Sequence, residues 1–273
     1  MATLNFTKMQ GTGNDFILVD GTQQQINQIE KHARFLCDRR FGIGADQLLL
    51  IRSTDRADFR MQTFNADGSE VEMCGNGIRC FAKYLRDHGL SSKEVIHVET
   101  LAGIIRPSLQ GDEISVDMGE PVLSGPEIPV NMEGQIIGKK LSVDNSEFVM
   151  TCVSMGNPHC VIKVQDVEAF PVGKIGPGIE THALFPNRTN VEFIQILNDH
   201  EIRMRVWERG AGETLSCGTG ACASTVASVL NQWTGKNVLV HLKGGDLKVQ
   251  WNEANRVILT GPAQEVFSGE INI

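Results

Sequence analysis

Apolar positions along the chain follow two rhythms. Ile26, Ile29, Ala33 and Leu36 recur at helical spacing and predict an amphipathic helix over 24–39. Ile78, Phe81, Ala82 and Leu85 predict a second helix, with Gly89 as its stop. Ala221, Ala223, Val226, Ala227 and Leu230 predict a third, ending before Gly235, whose small residues imply close packing on all sides. Shorter apolar or alternating runs predict strands at 4–9, 17–19, 47–51, 59–64, 95–100, 104–109, 113–118, 148–154, 160–164, 190–196, 201–207, 238–242, 247–251, 257–260 and 265–273. Segment 119–146 is rich in Gly, Pro and Asn and has no helical stripe, which marks it as the boundary between two halves. Proline and glycine crowd 165–189, so a helix there is expected to be shortened or broken.

The two halves repeat one another. Residues 58–80, DFRMQTFNADGSEVEMCGNGIRC, return as 201–222, EIRMRVWERGAGETLSCGTGAC. One ungapped offset aligns Arg60-Met61 with Arg203-Met204, Phe64 with Trp207, Glu70 with Glu213 and Cys74-Gly75 with Cys217-Gly218. It also carries Gly13-Asn14 onto Gly156-Asn157 and Gln47 onto Asn190. Unrelated turns rarely share an offset with two cysteines, so the glycine turns are more than punctuation. The glycine-rich 41–47 is not a phosphate loop: it lacks the P-loop lysine and opens no helix.

Composition narrows the class. Forty-one per cent apolar and 21% charged residues over 273 positions suit two ordinary globular domains. A net charge of −8 argues against nucleic acid or an anionic membrane surface as partner. No apolar run approaches the ~20 residues of a membrane span, and the N-terminal residues show no export signal. Seven cysteines without framework spacing fit reduced thiols in a cytoplasmic protein.

Most of those cysteines read as small buried hydrophobes. Cys74 and Cys217 do not: each precedes Gly-x-Gly where a helix begins. Free backbone N–H groups there lower a thiol's pKa and bind anions, and glycines let a ligand approach them. A carbon held between two thiols can lose a proton to one and regain it from the other, which inverts a stereocentre. Helix N-termini suit the charge that develops on an adjoining carboxylate. The repeat breaks at two places near the thiols. His159 stands opposite Phe16 and Glu208 opposite Asn65, as expected if the thiols need different protonation states.

GTGNDF, GADQ, FNADGSEVEMCGNGIRC, MGNPHCV, TNVEF and WERGAGETLSCGTGACA together resemble the diaminopimelate epimerases, essentially end to end. The resemblance implies an α+β fold of two pseudo-symmetric domains, each with strands wrapped about a central helix. It implies domains at 1–118 with a returning tail 264–273, and at 119–263. It implies interconversion of LL- and meso-diaminopimelate without cofactor or metal, in lysine and cell-wall precursor synthesis. Cys74 and Cys217 match the catalytic pair, and His159 and Glu208 the residues that tune it. Asn14, Gln47, Asn65, Asn157, Asn190, Glu208 and Arg209 match the substrate-binding side chains. Gly75, Asn76, Gly218 and Thr219 match the backbone donors to the carboxylate. The family forms homodimers, and Phe267 falls where many members carry a tyrosine near the dimer contact. Proline or hydroxyproline racemases share the fold and the thiols, but Asn65, Asn190 and Glu208-Arg209 suit a longer substrate with a second charged end. A dithiol redox protein would not need the Asn/Gln set, and a two-lobed amino-acid-binding protein would not need the thiols.

Overall fold

The computed structural model describes residues 3–273 except 25, 27, 73 and 145. Part of the expected helix 24–39, one residue of the repeat ahead of Cys74 and one in the boundary segment therefore lie outside the described residues, as do 1 and 2 at the head of the chain. The chain forms two compact units, Met1–Asp117 with Gly261–Ile273, and Met118–Thr260.

The first unit begins with β1 (Thr3–Gly11), β2 (Asn14–Asp20), α1 (Ile29–Cys37), β3 (Gln47–Arg52), β4 (Phe59–Asn65) and β5 (Glu70–Val71). It continues through α2 (Gly75–Asp87), β6 (Val98–Thr100), β7 (Gly103–Ile105), β8 (Ser108–Gln110) and β9 (Glu113–Asp117). The second holds β10 (Lys139–Val143), β11 (Ser146–Ser154), β12 (Pro158–Lys163), α3 (Val172–Glu180), β13 (Asn190–Asn198) and β14 (Glu201–Glu208). Next come β15 (Gly212–Thr214), α4 (Gly218–Leu230), β16 (Asn237–Leu242), β17 (Gly245–Trp251) and β18 (Val257–Pro262). Finally β19 (Gln264–Asn272) pairs antiparallel with β1 and returns the chain to the first unit.

The duplication shows in strand direction. In the first unit β1–β2 is antiparallel, β2–β3 parallel, β3–β4 antiparallel, β4–β6 parallel and β6–β7 antiparallel. In the second, β11–β12, β12–β13, β13–β14, β14–β16 and β16–β17 repeat that order. In each unit strands pack on one buried helix. The apolar stripe of α2 packs on β1, β2, β4, β9 and β19, and α4 packs on β11, β12, β13, β16 and β17. In α4 Gly218 and residues 220–228 are all buried, which is why alanine, serine and glycine occupy it: larger side chains would not fit between the strands. α2 instead buries a whole arginine. Arg79 donates to the carbonyls of Gly75 at 3.2 Å and Pro262 at 3.3 Å.

Three local expectations need correction. The run 104–109 is two strands, because Pro107 offers no N–H and separates β7 from β8. The boundary segment 119–146 is not all loop, since β10 lies in it and pairs with β11. The proline- and glycine-rich stretch holds α3, nine residues like α1, with Pro177 inside it. Tertiary packing overrides the breaker. A Cβ on Gly176 would stand 2.6 Å from Trp207, so the glycine is what lets that indole lie against the helix. Glu180 then accepts from the indole N–H at 2.7 Å and from the Gly210 N–H at 3.0 Å, fixing the turn after β14.

A charge network fastens β1, β2 and the loop before β3. Asp15 bonds to Lys8 at 2.7 Å and to both terminal nitrogens of Arg39 at 2.7 and 2.8 Å, and Arg39 also holds Asp46 at 2.8 Å. Burial alone would raise the Asp15 carboxyl, but the bonds from Arg39 and Lys8 outweigh it and hold it well below the usual aspartate range. A carboxyl lowered on folding adds stability above its unfolded value of about 3.9 and loses it as pH falls toward the folded value. Asp15→Asn should therefore cost about 2 kcal/mol at neutral pH. Denaturant titration should show its gap to the native protein closing as pH drops below about 4. A gap that does not change with pH would reject the charge as its source.

Candidate active site

In each unit the cysteine is the residue that caps the buried helix. Cys74 and Cys217 have extended backbones (φ −130°, ψ 119° and φ −130°, ψ 111°), and each turns into its helix at the following glycine. Cys74 Sγ accepts the Gly77 N–H at 3.4 Å, and Cys217 Sγ accepts the Gly220 N–H at 3.4 Å. A sulfur thus fills the N-cap role usually held by Ser, Thr, Asp or Asn. Gly75-Asn76 and Gly218-Thr219 are the first helical residues, whose N–H groups have no intrahelical carbonyl to bond.

Around Cys74 the register gathers the expected side chains. Phe16 pairs with Gln47, and Gln47 pairs with Asn65, which sets Asn14, Gln47 and Asn65 on successive strands at one end of the sheet. Asn14 Oδ1 accepts from the Cys74 thiol at 3.7 Å and from the Asn76 amide at 3.3 Å. Gln47 donates to Asn65 at 3.0 Å, and Asn65 donates to Ser69 at 3.1 Å. Asp46 was not singled out by the sequence. It accepts the Asn14 amide at 2.7 Å, so the arginine-held carboxylate decides which way Asn14 presents its oxygen.

Around Cys217 the neighbours are ionisable. His159 and Glu192 are fully buried, with Nδ1 donating to Glu192 at 2.7 Å and Nε2 facing Asn157 Oδ1 at 2.9 Å. Glu208 accepts from the Thr214 hydroxyl and lies near enough to Cys217 for each to bias the other's protonation. Burial pushes the Glu208 carboxyl up, despite the Thr214 bond. Asn190 is also buried, and both ends of its amide hold backbone: it donates to Pro158 O at 3.0 Å and accepts from Arg209 N at 2.9 Å. It therefore seats the Glu208-Arg209 turn, and the Arg209 guanidinium donates to Asn187 O at 3.2 Å.

The expectation that a helix N-terminus lowers the thiol's pKa is reversed at Cys217. Burial and the carboxylates of Glu208 and Glu192 push this thiol well above its usual value, outweighing the Thr219 hydroxyl and the Gly220 N–H. Glu192 is the buried ionisable neighbour of Cys217 that the sequence reading missed. Its signal was a glutamate at a core-facing position of an apolar strand, inside the TNVEF motif.

Close packing here can be tested with alanine. A Cβ on Gly220 would meet Glu192 Oε1 at 2.7 Å, whereas one on Gly77 meets only hydrocarbon and the Cys74 Cβ at 3.2–3.4 Å. Overpacking costs about 1–3 kcal/mol and the gain in helix propensity returns about 1. Gly77→Ala should be near neutral and Gly220→Ala clearly destabilised in urea. Equal midpoints would show that Glu192 moves aside freely.

Known proteins match along most of this chain. A family model described as diaminopimelate epimerase matches residues 6–124 and 151–266. The diaminopimelate epimerase of Pelotomaculum thermopropionicum is 54% identical over 275 residues, 98% of each chain. That of Methanococcus maripaludis is 50% identical, covering 99% of this chain and 100% of its own. Among solved structures, a hydroxyproline epimerase from Agrobacterium vitis has a TM-score of 0.71 at 14% identity, covering 99% of this chain and 91% of its own. A phenazine biosynthesis protein of the PhzF family from Bacillus anthracis has a TM-score of 0.72 at 18% identity over the whole of both chains. The structural likenesses give the fold, and the sequence matches give the lineage: this chain belongs to the diaminopimelate epimerase family.

Proposed function

We propose that this chain interconverts LL- and meso-diaminopimelate, with Cys74 and Cys217 as its two acid/base groups. The observation that carries the reading is the pair of cysteines capping the buried helices at equivalent places in a duplicated frame. One thiolate takes the α-hydrogen as a proton, and the electron pair of the broken C–H bond moves onto the neighbouring carboxylate. The other thiol delivers its proton to the opposite face of the carbon, so nothing is oxidised or reduced. The first-turn N–H groups at Gly75-Asn76 and Gly218-Thr219 bind the carboxylate as it gains charge. Asn14 and Asn157 lie against the groups that flank the thiols. Gln47, Asn65 and Arg209 address the rest of the substrate, and Asn190 holds the Arg209 backbone in place. Glu208, close to Cys217, and His159 adjust the thiols' protonation.

The family, the acidic net charge and the amino-acid substrate support a cytoplasmic enzyme of lysine and cell-wall precursor synthesis that works without cofactor or metal. No described helix is long and apolar enough to cross a membrane. We also propose a homodimer. β19 is the outermost strand of the first unit's sheet and exposes Val266 and Phe267, an edge suited to a second copy. Phe267→Asp should shift the protein to a monomer in sedimentation while its helices stay folded.

Cys74→Ala and Cys217→Ala should each lose at least about a thousandfold in epimerisation, since neither face can be served by a methyl group. Native circular dichroism should accompany that loss. In deuterated water, early product from LL-substrate should carry deuterium at the inverted carbon while unreacted substrate stays unlabelled. Early product retaining its original hydrogen would point to a single swinging base and overturn the two-thiol mechanism.

A further inference from the structure

The repeat that aligns Cys74 with Cys217 also aligns Phe16 with His159 and Leu49 with Glu192. Strand register gives the same correspondence: Phe16 lies beside Gln47 across β2–β3, and His159 beside Asn190 across β12–β13. Both pairs sit behind the third residue of a cysteine-capped helix. A Cβ on Gly77 would meet Leu49 Cδ2 at 3.3 Å and Phe16 Cε1 at 3.4 Å, and a Cβ on Gly220 would meet Glu192 Oε1 at 2.7 Å. One frame therefore places two hydrocarbon side chains behind its thiol, and the other an imidazole and a carboxylate.

Packing does not require that exchange. Phe16 and Leu49 are wholly buried in the first unit, so the apolar solution fits this architecture. Replacing both partners of a buried hydrogen-bonded pair with apolar groups of similar shape can be nearly neutral or stabilising. The second unit nevertheless keeps the hydrogen-bonded imidazole and carboxyl at 0% exposure, and among the described residues Glu192 Oε2 has no hydrogen-bond partner. An oxygen left in that state costs about 1–3 kcal/mol or more, which a purely structural residue would not retain. The groups facing Cys217 are Glu208 from β14 and Glu192 from β13, the latter held by His159 from β12. From α4 itself come the Thr219 hydroxyl at 3.5 Å and the Gly220 N–H at 3.4 Å.

We propose that Glu192 is a positioning residue for the epimerisation: anchored on His159, it sets a carboxylate against the first turn of α4 and keeps Cys217 as the protonated thiol in the resting enzyme. Cys217 is then the proton donor for the isomer whose α-hydrogen faces Cys74, and it takes the base role only in the reverse direction. The same bond to Nδ1 fixes the imidazole so that Nε2 faces Asn157. The inference rests on the two-thiol reading above, but it concerns how one thiol is held, so the two fail separately.

The test is Glu192→Gln, which keeps the shape and an acceptor for His159 while removing the charge. Peptide-resolved mass spectrometry would follow iodoacetamide alkylation of Cys217 and Cys74 across pH. At a fixed mildly alkaline pH, Cys217 in the variant should alkylate about tenfold faster, one pKa unit lower, with the Cys74 profile unchanged. Its kcat should fall with little change in KM. If Glu192→Gln does not fold, the double variant His159→Phe with Glu192→Leu restores the first unit's apolar pair and should show the same shift at Cys217. A Cys217 profile superimposable on the native one in a folded variant would overturn the proposal. The deuterium experiment would still stand, because solvent labelling of early product does not depend on Glu192.

Discussion

The structure depends on a sulfur taking the place of a hydroxyl or carboxylate at the start of a helix. A helix buried end to end leaves its first N–H groups without carbonyl partners, and α2 and α4 both face that problem. Cysteine is a weak acceptor, so it caps poorly and leaves those donors available to something better. A carboxylate is better. The feature that makes each helix start imperfect as local structure therefore suits the carboxylate binding proposed above, next to a sulfur. The glycines that follow keep the approach open, and strand register brings Asn14, Gln47 and Asn65 level beside Cys74 and sets Asn190 beside His159, where it seats the Glu208-Arg209 turn.

Two copies of such a site are chemically alike until something distinguishes them, and a reaction that removes a proton on one face and adds one on the other needs a base and an acid together. The differences sit behind the cap and beside it. Glu208 replaces Asn65, and the hydrogen-bonded pair of His159 and Glu192 replaces an aromatic ring and a leucine. These substitutions leave the backbone frame intact while changing the electrostatic surroundings of one thiol. Asp46 does comparable service in the first unit by a different route, turning the Asn14 amide so that its oxygen meets the Cys74 thiol.

Much of this was legible in the sequence because the duplication checks itself. A strand or turn that is ambiguous alone becomes firm when the same pattern returns at the same offset, while the helices after Cys74 and Cys217 show in their own apolar stripes. What escaped had no counterpart to lean on or depended on contacts. α3 was hidden by Pro177 and three glycines, whose role appears only once Trp207 is seen lying against Gly176. Pro107 split a run whose apolar residues looked continuous. Asn190 matched a ligand contact by motif, yet its amide is occupied by two backbone groups that no spacing rule reveals. Asp46 and Glu192 were missed because each acts through a neighbour, and second neighbours are set by tertiary packing.

The return of β19 has a consequence for how the molecule is made. β1 is synthesised before the second unit, but its outer partner follows that entire unit, with Thr3 opposite Asn272. The second unit has all its strands before β19 exists and can close while synthesis continues. The first unit cannot complete its sheet until that strand emerges, so during translation β1 presents an unpaired edge. Domains emerging first usually fold first. Here the N-terminal half finishes last, and the nascent chain must keep an exposed strand from pairing with its neighbours on the same message.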